Sequence, residues 1–92
     1  MRRSRVDSNQ DGIVKLLEEH GATVQKLTSN GHGCPDLLVG YGGRNFLMEI
    51  KTRRGKLNQE QLEWHGWWAG KVWVVREPIR AVVIIKLKEE PS

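Results

Sequence analysis

The stretch that decides the fold is Pro35-Asp36-Leu37-Leu38-Val39-Gly40-Tyr41-Gly42-Gly43-Arg44-Asn45-Phe46-Leu47-Met48-Glu49-Ile50-Lys51. Gly42-Gly43 is a two-residue hairpin signal, because glycine enters without steric cost the positive-φ conformations that such turns demand. It predicts one strand over Asp36 to Gly40 and another over Asn45 to Lys51. Pro35 is tolerated where the first of these opens, since its missing N–H is not yet needed there. Side chains alternate across a strand. Asp36 and Leu38 therefore share one face, and Leu37 and Val39 the other. Across the hairpin, Glu49 and Lys51 share one face, and Phe46, Met48 and Ile50 the other. With 42 and 43 as the loop, facing positions have numbers that sum to 85, as 36 and 49 do. Asp36 and Glu49 are thus expected as direct cross-strand neighbours, with Cβ atoms roughly 5 Å apart.

Like charges placed directly opposite are destabilising, so the pairing asks for a reason. A divalent cation supplies one. Mg²⁺ accepts one or two protein carboxylates while keeping waters and substrate phosphate oxygens. Lys51 lies one same-face step beyond Glu49, where an ammonium can orient an attacking water and stabilise charge on a phosphate. Asp, Glu and Lys on paired strands around one ion suit phosphodiester hydrolysis.

Outward from the hairpin, Ile13, Leu16 and Leu17 have the spacing of a buried helical stripe, predicting a helix over Asn9 to His20 with Ser8 as N-cap. Ala22 to Leu27 reads as a strand, followed by a turn-rich loop. Beyond Lys51 comes the basic turn Thr52 to Lys56. A second helix is expected from Asn58 to about Gly70, since Asn58 with Gln61 resembles a capping box. Lys71 to Arg76 reads as a fourth strand and Ile79 to Leu87 as a fifth. The predicted order is αβββαββ, a mixed α/β (α+β) domain over residues 1–92, with a basic arm at 1–7 and a polar tail at 88–92.

Composition sets the bounds. The chain has 92 residues and a net charge of +4, with a pI of 9.6. This is one small domain, and a chain of this size buries only about 60–65% of its unfolded surface, so a second copy is expected to help it. One cysteine excludes an internal disulfide framework, and His32-x-Cys34 fits no standard zinc spacing. No apolar run is long enough to span a bilayer, and no signal peptide follows the basic start, so an intracellular location is expected. Seven of the fifteen positive charges sit in two places: Arg2, Arg3 and Arg5 in the arm, and Lys51, Arg53, Arg54 and Lys56 in and before the turn. Beside a phosphodiester site, both are candidate contacts to nucleic-acid phosphates. Trp64, Trp67, Trp68 and Trp73 lie within ten residues. One helix cannot easily bury three indoles in so small a core, so part of the cluster is expected at a subunit interface.

Pro35-Asp36…Glu49-Ile50-Lys51 resembles the PD-(D/E)XK nuclease superfamily. Further segments are similar to its stand-alone VRR-NUC domains of phages and prophages: Gly33 to Gly40, Leu57-Asn58-Gln59-Glu60-Gln61, Trp64-His65, and Gly70 to Arg76. The resemblance runs from about Asp7 to Arg76. It implies a restriction-endonuclease-like core, DNA cleavage dependent on Mg²⁺ or Mn²⁺, and a homodimer acting on branched DNA such as four-way junctions. It also implies that Asp36, Glu49 and the Ile50 carbonyl are metal ligands, that Lys51 is the catalytic lysine, and that Gln61 completes the site. The family usually carries a metal-facing glutamate on the first helix; here that position is Gly12, which leaves three alternatives: Asp11 substitutes, Gln10 substitutes, or the site holds one ion where relatives could hold two. The alternative reading is a non-catalytic nucleic-acid-binding module on a degenerate nuclease fold.

Overall fold

The hairpin forms as its glycines require. Gly42 and Gly43 have φ of 59° and 78°, which joins β2 (Leu37–Tyr41) to β3 (Arg44–Ile50). Leu37 faces Met48 and Val39 faces Phe46, the register read from the sequence. The computed structural model describes residues 5–91. In chain order these form α1 (Arg5–Glu19), β1 (Thr23–Lys26), a 3-10 turn (Thr28–Asn30), β2, β3, α2 (Gln59–Trp67), β4 (Val72–Val75) and α3 (Pro78–Leu87). The sheet order is β1-β2-β3-β4. The first three strands are antiparallel, and β4 lies parallel to β3 after the α2 crossover. The mixed α/β class with a central mixed sheet flanked by helices is therefore as expected.

One face of the sheet carries the core. Leu37, Val39, Phe46, Met48, Ile50, Trp73 and Val75 pack there against Ile13 and Leu17 of α1 and Ala81, Val82, Ile84 and Ile85 of α3. The other face, with Leu38, Leu47 and Glu49, is the side of α2. That helix has no buried residue. It is anchored instead by close backbone approach and polar contacts: Gly33 (φ +84°) lies so close to the Glu60 carbonyl that any Cβ there would collide with it.

Two expectations are corrected. The segment from Ile79 to Leu87 is not a fifth strand but most of α3, so the order is αβββαβα. A strand would bury alternate residues, whereas Ala81, Val82, Ile84 and Ile85 are all buried, the i, i+3, i+4 pattern of a helix pressed on a sheet and on a second helix. Pro78 at the helix start is pre-set for this geometry. Helix α1 begins at Arg5 rather than Asn9, so Ser8 lies within it and is not its cap; nothing between Arg5 and Ser8 breaks a helix. Arg5 is therefore helical, and Arg2 and Arg3 lie outside the described residues. Among those residues, no helix is long and apolar enough to cross a membrane.

Candidate active site

The register brings Asp36 and Glu49 together at the open end of the hairpin. Asp36 Oδ2 accepts a hydrogen bond from the Ile50 N–H at 2.8 Å, which ties the residue before β2 to the end of β3. Glu49 is 1% exposed, an unusual place for a carboxylate. Its Oε2 accepts from Gln61 Nε2 at 3.0 Å. Its Oε1 is buried without a hydrogen-bond partner.

Gln61 reaches Glu49 because the N-terminus of α2 is fixed. Asn58 caps the helix, accepting from the Gln61 N–H at 2.9 Å, and Gln61 Oε1 accepts from the Asn58 N–H at 2.9 Å. The capping box and the contact with Glu49 coexist, since one end of the Gln61 amide serves each.

The electrostatics follow from this burial. Loss of water around Glu49, with the Asp36 carboxylate beside it, pushes its pKa up to about 8, against a smaller opposing pull from Lys51. Burial, and then the Lys51 charge, lowers the pKa of His65. The Lys51 ammonium thus acts on both groups, as its place beyond Glu49 foretells. The Lys51 carbonyl accepts from Asn9 Nδ2 of α1 at 3.1 Å.

A divalent cation fits these residues. Two adjacent carboxylates, one with an orphaned buried oxygen, form a hard oxygen donor set of the kind that suits Mg²⁺ or Mn²⁺. A cation there removes the cost of ionising Glu49 next to Asp36. Among the described residues, no three His, Cys, Asp or Glu side chains come together as a group able to hold a metal ion. On α1, Asp11 is turned away to Lys26, 3.7 Å distant. Gln10 is buried, with its Oε1 unpartnered. Gly12 leaves open space where a side chain would begin.

Arg53, Arg54 and Lys56 are exposed in the turn after β3. Sequence reading missed what shapes that turn. Arg76 Nη1 donates to the carbonyls of Thr52 at 2.8 Å, Arg53 at 3.4 Å and Gly55 at 2.6 Å. It also gave no role to His65, whose Nε2 lies 3.9 Å from Glu49 Oε1. The available signal was spacing: His65 follows Gln61 by four residues, on the same helical face.

The tryptophans divide. Trp73 is buried in β4, its Nε1 donating to the Glu89 carbonyl at 2.8 Å. On α2 and its C-cap, Trp64 and Trp68 stack with centroids 5.0 Å apart, and Trp67 meets Trp64 edge-on. Trp67 is 71% exposed, and Leu38, Leu62, Trp68 and Val74 are exposed too.

No family model matches the sequence, and no curated protein matches it. Among solved structures, the chain is similar to one described as a VRR_NUC domain. The TM-score is 0.73, with 27% identity over 91% of this chain and 97% of that one. The likeness supports a restriction-endonuclease-like topology of the PD-(D/E)XK kind and a nuclease-like function in general.

Proposed function

We propose that the chain is a metal-dependent endonuclease that hydrolyses DNA phosphodiester bonds, selective for branched structures such as four-way junctions. The observation that carries this reading is the Asp36–Glu49 pair: two carboxylates held together by the hairpin register, one of them buried and clasped by Gln61. Asp36, Glu49 and the Ile50 carbonyl would hold Mg²⁺ or Mn²⁺. When bound, such an ion polarises a phosphoryl oxygen and makes water a competent nucleophile near neutral pH. Lys51 orients the attacking water and balances charge on the phosphate. Gln61 fixes the rotation of Glu49. Arg53, Arg54 and Lys56 grip flanking phosphates without reading bases. One protomer offers one site, so cutting both strands of a junction calls for a homodimer, and the exposed tryptophan face of α2 is its contact.

One observation favours a second reading, a binding module that has lost catalysis: among the described side chains α1 shows no third carboxylate at the site, because Gly12 has no side chain and Asp11 pairs with Lys26. A single assay separates the two. Labelled four-way junctions, flaps and plain duplex are incubated with Mg²⁺, Mn²⁺ or EDTA, beside the Asp36→Ala and Lys51→Ala variants. Cation-dependent cutting of junctions that both variants lose is expected. Binding without cutting under every cation supports the module instead, and cutting that survives Asp36→Ala removes the site assignment.

A further inference from the structure

Glu49 Oε1 and His65 Nε2 are both buried, and neither has a hydrogen-bond partner. They face each other 3.9 Å apart, roughly 0.7 Å beyond hydrogen-bond reach. Unsatisfied buried polar atoms are rare and ask for a partner; here the two are complementary, an acceptor opposite a ring nitrogen that is a donor in one tautomer. Gln61, one turn earlier on the same face of α2, already holds the other oxygen of this carboxylate. Trp64 stands edge-on to the His65 ring, with centroids 6.3 Å apart at 77°, which limits how far the ring can turn away.

We propose that His65 is a positioning residue whose Nε2–H donates to Glu49 Oε1, so that Gln61 and His65 together lock the carboxylate for a cation. One residue sits on each oxygen, and the remaining lone pairs are left to the ion. A carboxylate facing Nε2 favours the tautomer that carries the ring proton on that nitrogen. Groups that orient a ligand in this way change metal affinity about 10–100-fold when removed. The cation part rests on the function proposed above; the hydrogen bond does not.

Two measurements on the whole chain test this. The first is nitrogen-detected NMR of the His65 ring, with saturating Mg²⁺ and, without metal, at pH 9. The expected result is a protonated Nε2 whose proton is protected from exchange, with protection lost in Glu49→Ala. A proton on Nδ1, or protection that Glu49→Ala leaves intact, overturns the contact. The second is Mn²⁺ titration followed by electron paramagnetic resonance. His65→Ala is expected to weaken Mn²⁺ about tenfold or more, and His65→Gln, which keeps a donor, to restore most of it. Unchanged affinity in His65→Ala, or a ¹⁴N coupling that shows the ring bound to the ion, overturns the positioning role. Wild-type protein that binds no Mn²⁺ overturns the cation reading, and the NMR result then decides the hydrogen bond by itself. Circular dichroism confirms that each variant keeps its fold.

Discussion

The Gln61 amide nitrogen donates to Glu49 Oε2 at 3.0 Å, while its amide oxygen closes the capping box on Asn58. One side chain therefore couples the start of α2 to the buried carboxylate. The two roles separate by substitution. Gln61→Ala removes both, and is expected to lower stability by about 1 kcal/mol through the lost cap and to reduce cation affinity. Gln61→Glu keeps the cap, since Glu serves equally well at that position, but sets a carboxylate against Glu49. It is expected to keep the helix and lose at least tenfold in cleavage. Urea denaturation beside a junction-nicking assay reads the two effects independently.

Glu49 makes the stability of the metal-free protein depend on pH. Its carboxyl ionises near 4.5 when unperturbed and near 8 in the fold. Between those values the unfolded chain has released the proton and the folded chain has kept it, so stability falls as pH rises through this window. Below it the penalty is absent; above it the penalty is complete. Glu49→Gln is expected to flatten this slope. Mg²⁺ bound as proposed would displace the proton, so its stabilising effect is expected to grow from pH 5 to pH 8. Denaturation midpoints across pH, with and without Mg²⁺, check both.

Asp36→Asn should divide stability from activity. The amide keeps an oxygen for the Ile50 N–H but removes the charge that disfavours ionised Glu49. Metal-free stability near pH 8 is expected to rise, while cleavage falls at least about 100-fold with loss of a charged ligand. A variant that is less stable and equally active would contradict the site.

What could be read beforehand was what local rules enforce. Gly42-Gly43 sets the register by turn geometry, and with it the meeting of Asp36 and Glu49. Asn58 and Gln61 announce the start of α2 by capping chemistry. The stretch from Ile79 to Leu87 misled because β-branched residues in a short apolar run suit a buried strand and a buried helix equally, and packing on α1 decides between them. Arg76 was invisible as a participant for a related reason: its partners, the carbonyls of Thr52, Arg53 and Gly55, are brought to it by the β3–α2–β4 crossover and by no sequence neighbour. His65 left only the trace of its spacing from Gln61, and Glu49 reaches it through the same crossover.

Arg76 makes a prediction about the basic turn. Its guanidinium gathers three carbonyls of that turn, whereas Arg53, Arg54 and Lys56 project into solvent. Replacing any of those three by Ala is expected to weaken junction binding similarly for all sequences, and to reduce the salt dependence by about one counterion per lost phosphate contact. Arg76→Ala removes the frame rather than a contact, so it should weaken binding as much as the loss of several turn cations together. Fluorescence anisotropy over a salt series distinguishes these slopes.

Gly12 offers the sharpest test of α1. It follows Asn9 by three residues, so a side chain there starts about 60° round the helix from the amide that touches the Lys51 carbonyl. A Cβ at Gly12 meets nothing within 4 Å. Replacing Gly by Ala inside a helix stabilises by about 0.8–1 kcal/mol, so Gly12→Ala is expected to raise stability and leave cation binding unchanged. Gly12→Glu should keep most of that gain and also restore a carboxylate on the side of the site. Tighter Mn²⁺ binding, or a second bound ion, is expected in Gly12→Glu alone. Equal Mn²⁺ titrations for the two variants would show that a carboxylate at position 12 does not reach the ion.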